Sequence, residues 1–542
     1  RRAEEPPSLR YRDYCEHYSG KNGSGERCEI MLMMRRIPNL MARMPADYLA
    51  AFSSLLSLAL ALLIYKRAPG PDEAHPLPLI LGAFFYFSAY VSSQYSWGRI
   101  LLRGEGKHWE SFFAGSVLFS LIPACAGFFP LVGAASFSFW AFILVSAPLL
   151  LLWRVRRGVP KREELRFEIH QIFLIFLFFW LILGAASPHP FWDSLWYHLT
   201  ASRLWFEEGR IHLPTLFPVA FKAGLWDYHF LWGQILLAGP SGGGLIPAQL
   251  FGQWASLATA FFSLLILLEE KRFWGLGVWA SIAGWIGTEL FLEVEFAKND
   301  WAAVFWSLAA IYYLYNRSNF RGGLAMGWAF AAKFSSGFIL APTFLFLAKG
   351  MGRRESWKVL FFAVIAASPI LFRNFLFTKN PVFPAFNQFW GSEALGPTWA
   401  AISIYEPGSN SLHSIWEKLN FLGRESYAVA GLVLIPLAGL SMRARHLVLI
   451  SVFALIFFMF GSGMKAEWRL AGAPLLLAGA FGVQSVFSAA RSFMKRGSSM
   501  ASAGAFLLIC IFAPWDFDAF SRLARSEEHT SELQSQSTIS YA

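Results

Sequence analysis

The residues of this chain best able to do chemistry are ionisable groups set in apolar surroundings. Asp193 stands in PFWDSLWYHL, with Trp192, Trp196, Tyr197 and His198 beside it. On a helix opening at Asp193, Tyr197 follows four residues later, so carboxylate and phenol share a face. An aspartate there also suits a helix N-cap. Further on, Glu289, Glu293 and Glu295 precede Lys298, Asn299 and Asp300. The near-helical spacing of Glu289, Glu293 and Asp300 suits a divalent cation or a positioned hydroxyl. The same charges would also serve as an interfacial network capping the next helix. Lys333 lies between two short apolar segments. A lysine there needs water or an anion, and a phosphate would serve as a point-charge contact. Arg373 with Asn374, and Arg469 further on, add guanidinium forks that fit phosphate oxygens or anchor helix ends at an interface. His212 and His229 show no metal spacing such as HExxH and read as surface or aromatic-belt residues. His198, nearest Asp193, is the histidine candidate.

Composition dictates what must position these groups. Of 542 residues, 56% are hydrophobic and only 15% charged, with 55 Phe and 23 Trp. A soluble domain is about a quarter charged. Apolar runs near 20 residues recur, the length that crosses about 30 Å of hydrocarbon. No ten-residue alternation supports a membrane barrel. The class is an all-α polytopic membrane protein, with about 13–15 transmembrane helices and juxtamembrane helices on its outer face. The formal charge of +11 is that of basic cytoplasmic loops and not of a nucleic-acid binder. Cys15, Cys28, Cys125 and Cys510 form no CxxC pair, so neither a disulfide framework nor a zinc site is indicated.

Apolar segments fall at 47–65, 77–97, 112–129, 131–153, 168–187, 247–268, 273–291, 301–316, 322–334, 336–349, 357–373, 425–441, 446–461, 470–488 and 500–514. The short pair at 322–334 and 336–349 could also form one broken helix. The loop RVRRGVPKREELR (154–166) is the most basic and belongs in the cytoplasm. Alternation then puts Arg99, Arg103 and Lys107, Lys271 and Arg272, Arg317 and Arg321, Arg353 and Arg354, Arg443 and Arg445, and Arg491, Lys495 and Arg496 on that side. Two long segments, 188–246 and 374–424, emerge on the far side. Long loops of this kind tend to carry function. Within the first, 217–246 reads as a juxtamembrane helix lying on the outer face.

The two ends read differently from the rest. Residues 1–30 are polar and precede MLMMRR, where a start codon would fit, so they are expected to be a non-native leader. RSEEHTSELQS at 525–535 resembles a translated sequencing-library adaptor, so 525–542 is expected to be read-through. Without these two segments the formal charge rises, because the leader is neutral and the tail is acidic.

WDSLWYHLTASRLWFEEGRI resembles the first outer loop of bacterial GT-C membrane glycosyltransferases, which are related to protein mannosyltransferases and lipid A aminoarabinose transferases. KNDWAAVFWSLAA is similar to their acidic second-loop motif and GLAMGWAFAAKFSSG to their G…G…K segment. LFRNFLFTKNPVFPAFN and EWRLAGAPLLLAGA are similar to the later RN…T.NPV.P and R…P.L stretches. The five occur in order across 168–488. The resemblance implies a catalytic core at 168–524, preceded by extra transmembrane helices at 31–167. By position, Asp193 and Asp300 match the catalytic acids, and Lys333 matches the donor-phosphate lysine. The first loop lacks a clear paired-acid motif, and Leu470 replaces the aromatic that usually follows the late arginine.

The implied reaction is inverting transfer of a sugar from a polyprenyl-phosphate donor to a lipid, glycan or protein acceptor, at the outer face of a bacterial inner membrane. Asp193 would take the acceptor's proton. Lys333, Arg373 and Arg469 would stabilise the departing phosphate. Tyr197, His198, Trp196, Glu289, Glu293, Asn299 and Asn374 would bind substrate, with a divalent cation as a possible cofactor. No GxGxxG or Walker A motif offers a nucleotide site. Two other classes use similar residues: a transporter or flippase of lipid-linked anionic glycans, and an O-antigen polymerase or ligase. The first would need charges on both halves of its path, and the second typically relies on a large late outer loop rich in arginine.

Overall fold

The computed structural model describes residues 46–67, 76–103, 106–157, 169–186, 194–212, 224–237, 245–286, 291, 294, 296–383, 442–461 and 472–493. Among them every element is helical and no strand occurs. Apart from short turns of three to five residues, in chain order they are α1 (Ala46–Arg67), α2 (Pro76–Leu101), α3 (His108–Ala126), α4 (Phe137–Arg157), α5 (Ile169–Gly184), α6 (Leu199–Glu208), α7 (Tyr228–Leu237), α8 (Leu245–Glu269), α9 (Val278–Ile286), α10 (Asp300–Tyr315), α11 (Asn319–Ala332), α12 (Ser335–Ala348), α13 (Arg353–Thr378), α14 (Met442–Gly461) and α15 (Gly472–Phe493). Among the described residues, α2, α3, α4, α8 and α13 are long and apolar enough to cross a membrane. The chain therefore has the build of a multi-pass membrane protein. Large side chains such as Phe142, Phe176, Leu183 and Phe361 stand exposed on α4, α5 and α13, an arrangement that hydrocarbon tolerates and water does not. α8 and α10 lie inside, with Trp254, Trp301 and Trp306 fully buried.

The helices stop where charges gather, and these charges meet at one end of the bundle. Arg99 Nε donates to Asp47 Oδ1 at 2.7 Å. Lys107 pairs with Glu270, and Trp109 Nε1 donates to the same carboxylate at 3.3 Å. Tyr313 and Arg321 both donate to Glu110, at 2.8 and 3.2 Å. Asn319 donates to Glu355 at 2.7 Å. At the opposite end, backbone bonds tie the α3–α4 connection to the end of α6. Ile211 N–H donates to Gly127 O at 2.7 Å, and Val132 N–H to Gly209 O at 3.1 Å. Gly209 closes α6 with φ +69°, a left-handed cap that glycine adopts without strain.

Two expectations are corrected. The segment read as a helix lying on the outer face contains α7, and all ten of its residues are buried. It is inserted among α3, α4, α6 and α8. An interfacial helix needs a polar face in water. YHFLWGQILL has only two strongly polar side chains, and His229 is fully satisfied by internal partners. Secondly, α11 and α12 are not one broken helix. α11 leaves the basic end at Arg317 and reaches Asn299, which bonds Ala332 O. α12 returns, so that Arg317 Nη1 donates to Leu347 O at 3.3 Å. The two are arms of a hairpin turning at Lys333.

Candidate functional site

The site is built at the end opposite the basic loops, where four segments converge on Asp227. α11 stops because Lys333 is extended, with φ −155° and ψ 120°, and this leaves the last carbonyls of the helix without intrahelical donors. Asn299 fills one vacancy: its Nδ2 donates to Ala332 O at 2.8 Å. Asn299 occupies the N-cap position of α10, yet its side chain makes no capping bond and reaches across to α11. The same Nδ2 lies 3.3 Å from Asp227 Oδ2. The turn carrying Asp227 is pressed against α11 at Gly224, where a Cβ would overlap the carbonyl oxygen of Ala332. Gly224 N–H donates to Asp227 Oδ2 at 2.6 Å.

The remaining oxygen of Asp227 meets His198 Nδ1. Both side chains are essentially fully buried. An ionised carboxylate can only accept, so a neutral imidazole bonded to it carries its proton on Nδ1 and its lone pair on Nε2. His198 ends a single π turn, Ser194–His198, that feeds into α6. Its Nε2, together with Asn299 Oδ1 and Ser194 Oγ, is buried and has no hydrogen-bond partner among the described residues. Buried polar atoms are normally paired, so such atoms mark where a ligand or water completes the structure. The Tyr197 ring lies beside His198, with centroids 4.0 Å apart.

Next to this network stands an ion pair. Lys333 Nζ meets Asp300 Oδ1. Asp300 is the first residue of α10, where an acidic side chain complements the positive end of the helix. The lysine's anionic partner is therefore supplied from within the chain. On the other side of Asp227 the next residue, Tyr228, stacks on Trp205, with centroids 5.4 Å apart. The buried Arg373 guanidinium lies 5.8 Å from the Trp205 ring centroid. It donates twice to Asn374 Oδ1, from Nε at 3.1 Å and from Nη2 at 2.8 Å. Asn374 Nδ2 in turn holds Phe383 O at 3.3 Å.

Of the residues expected from the sequence, His198, Asn299, Asp300, Lys333, Arg373 and Asn374 come together at this end, and Tyr197 flanks them. Asp193, Glu289, Glu293 and Arg469 lie outside the described residues, as do Glu295, the side chain of Trp196, most of the 374–424 loop and both chain ends. Among the described residues no three His, Cys, Asp or Glu side chains converge as a metal site would require. His229 is corrected: it is no surface residue. It is fully buried, its Nδ1 meets Tyr90 and Gln94, its Nε2 meets Ser120 at 2.7 Å, and its ring stacks on Trp226 at 3.8 Å. His212 is partly exposed, in keeping with a surface position. Asp227, the hub, was missed. Its signal was available, because an ionisable residue inside the apolar run GLWDYHFLWG marks function by default.

The chain matches no protein-family model, no curated protein and no solved structure.

Proposed function

We propose that the chain is an inverting glycosyltransferase with a GT-C-like core and about 13–15 spans. It would move a sugar from a polyprenyl-phosphate donor to an acceptor at the outer face of a bacterial inner membrane. One observation carries this reading. Residues from four separate motifs meet at the end of the bundle away from the basic loops: His198 from the first loop, Asn299 and Asp300 from the second, Lys333 from the G…G…K segment, and Arg373 with Asn374 from the RN stretch. Opposed charges of this kind suit a phosphate ester whose anomeric bond is breaking.

The acceptor oxygen attacks the anomeric carbon from the face opposite the phosphate. The carbon–oxygen bond to the phosphate breaks, and its electron pair leaves on the polyprenyl phosphate. Lys333 and Arg373 would stabilise that charge. Asp300 would let go of Lys333 in part as the phosphate arrives, and would then be available to a sugar hydroxyl. The acceptor's proton goes to a group of the first loop, for which the resemblance offers Asp193.

The full chain in proteoliposomes, given labelled polyprenyl-phosphate sugars and a membrane extract as acceptor source, should transfer label with inversion at the anomeric carbon. Asp193→Asn and Asp300→Asn should each abolish it. Transfer that survives both substitutions, or a product of retained configuration, sinks the assignment. Movement of an intact donor across the bilayer without bond cleavage would point to a flippase.

A further inference from the structure

We propose that His198 is the proton acceptor of the transfer reaction and that Asp227 is its positioning residue. The inference rests on the glycosyl-transfer reading and moves the proton from Asp193 to the imidazole. Three observations support it. Asp227 receives three donors, His198 Nδ1, Gly224 N–H and Asn299 Nδ2, which fixes its carboxylate and, through it, the ring. The carboxylate fixes the tautomer as well, since only Nδ1–H can donate to it, so the basic lone pair is on Nε2. That atom is buried and has no hydrogen-bond partner among the described residues.

A histidine that merely filled the core would be expected to engage both nitrogens, and the molecule contains that case. His229, equally buried, bonds Tyr90 and Gln94 through Nδ1 and Ser120 through Nε2. The difference lies in the partners. His229 is surrounded by neutral groups, whereas His198 is backed by a carboxylate able to stabilise an imidazolium.

The step balances. The acceptor's O–H proton passes to Nε2 as its oxygen bonds the anomeric carbon, and the bond to phosphate breaks with its electron pair on the phosphate oxygen. The imidazole gains one positive charge while the leaving group gains one negative charge. Among the described residues Asp227 is the charged partner of His198, with the Asp300–Lys333 pair beside it and Lys298 buried next to Asn299; the proton taken up by His198 offsets the charge developing on the phosphate. The imidazolium then returns its proton to water after product leaves.

The test uses the full chain in proteoliposomes with a labelled polyprenyl-phosphate sugar. His198→Ala should lower kcat by at least ~100-fold, the usual contribution of a general base, with donor KM within about twofold. Added imidazole should restore part of the rate. Asp227→Asn should lower kcat by about 10- to 100-fold without imidazole rescue, and Asp193→Asn should also not respond to imidazole. A His198→Ala enzyme that keeps its rate within threefold, or that loses it with no rescue, overturns the proposal. An independent arm needs no turnover: nitrogen-15 NMR of histidine-labelled protein in micelles, with His198→Gln assigning the signal among the eleven histidines. A proton on Nδ1 is expected, moving to Nε2 or exchanging in Asp227→Asn. A proton on Nε2 in the unaltered protein overturns the dyad whether or not sugar transfer is the activity. Absence of transfer with the Nδ1–H tautomer intact would instead count against the glycosyl-transfer reading.

Discussion

The two ends of the bundle both collect charge, but they spend it differently. At the basic end the pairs are partly wet. Arg99 and Asp47 keep 16% and 20% exposure of their side chains, and Arg321 keeps 51%. Such groups end helices, close loops and bias orientation, and water shares their hydrogen bonds. At the opposite end the central groups are dry. Asp227, His198 and Asp300 are almost wholly buried, and only Lys333 keeps some exposure, at 15%. There each polar atom must find a partner in the fold, and His198 Nε2, Asn299 Oδ1 and Ser194 Oγ have none among the described residues. A charge that can be exchanged for water is architectural, and one that is buried with unused bonding capacity is available to a ligand.

The sharpest break of this contrast is Asp227→Ala. It strips the acceptor from His198, Asn299 and the Gly224 N–H together, and should cost about 3–5 kcal/mol, as for other buried polar networks that lose one member. Denaturant unfolding of the purified protein in detergent would show it, and a loss below about 1 kcal/mol would put Asp227 in the same class as the basic end. Next, Asp300→Leu should cost a comparable amount by leaving the Lys333 ammonium behind. Asp300→Leu with Lys333→Met should return most of that stability while transfer stays absent. Recovery of both stability and activity would make the pair purely structural.

A smaller effect is expected from Gly224→Ala, whose methyl group must push the Asp227 turn away from Ala332, at about 1–3 kcal/mol. Melting temperature and transfer rate should fall together. At the basic end Arg99→Ala should lose no more than about 1 kcal/mol, the range of partly exposed pairs. Finally, a maleimide added from one side should label Arg210→Cys or Arg354→Cys, but never both, since these residues stand at opposite ends. Labelling of both from one side would undo the reading of the bundle as spanning.

Much of the fold was legible in the sequence because the membrane makes it so. Without water, a backbone must satisfy itself as helix, so apolar length and charge clusters mark the helices directly. The expected 77–97, 247–268 and 301–316 segments fall within or beside α2, α8 and α10 for that reason. α7 was misplaced because composition reports hydrophobicity and not depth. Only the packing of α3, α4, α6 and α8 around it decides that it is inside. The site was half legible. Asn299, Lys333 and Arg373 stood out as polar groups in apolar surroundings. Their meeting point did not, because Asp227 is 72 residues from Asn299 along the chain.

The sequence alone determined that the chain is helical and membrane-spanning, and which of its polar residues are costly enough to need a purpose. These follow from local composition against a fixed hydrocarbon thickness. Tertiary structure decided the rest. The α11–α12 hairpin carries Lys333 to Asp300, and the close approach at Gly224 delivers Asp227 to His198 and Asn299. The same packing gives one buried histidine partners on both nitrogens and leaves the other's Nε2 without one among the described residues. Those outcomes depend on contacts between distant segments, which no local pattern encodes.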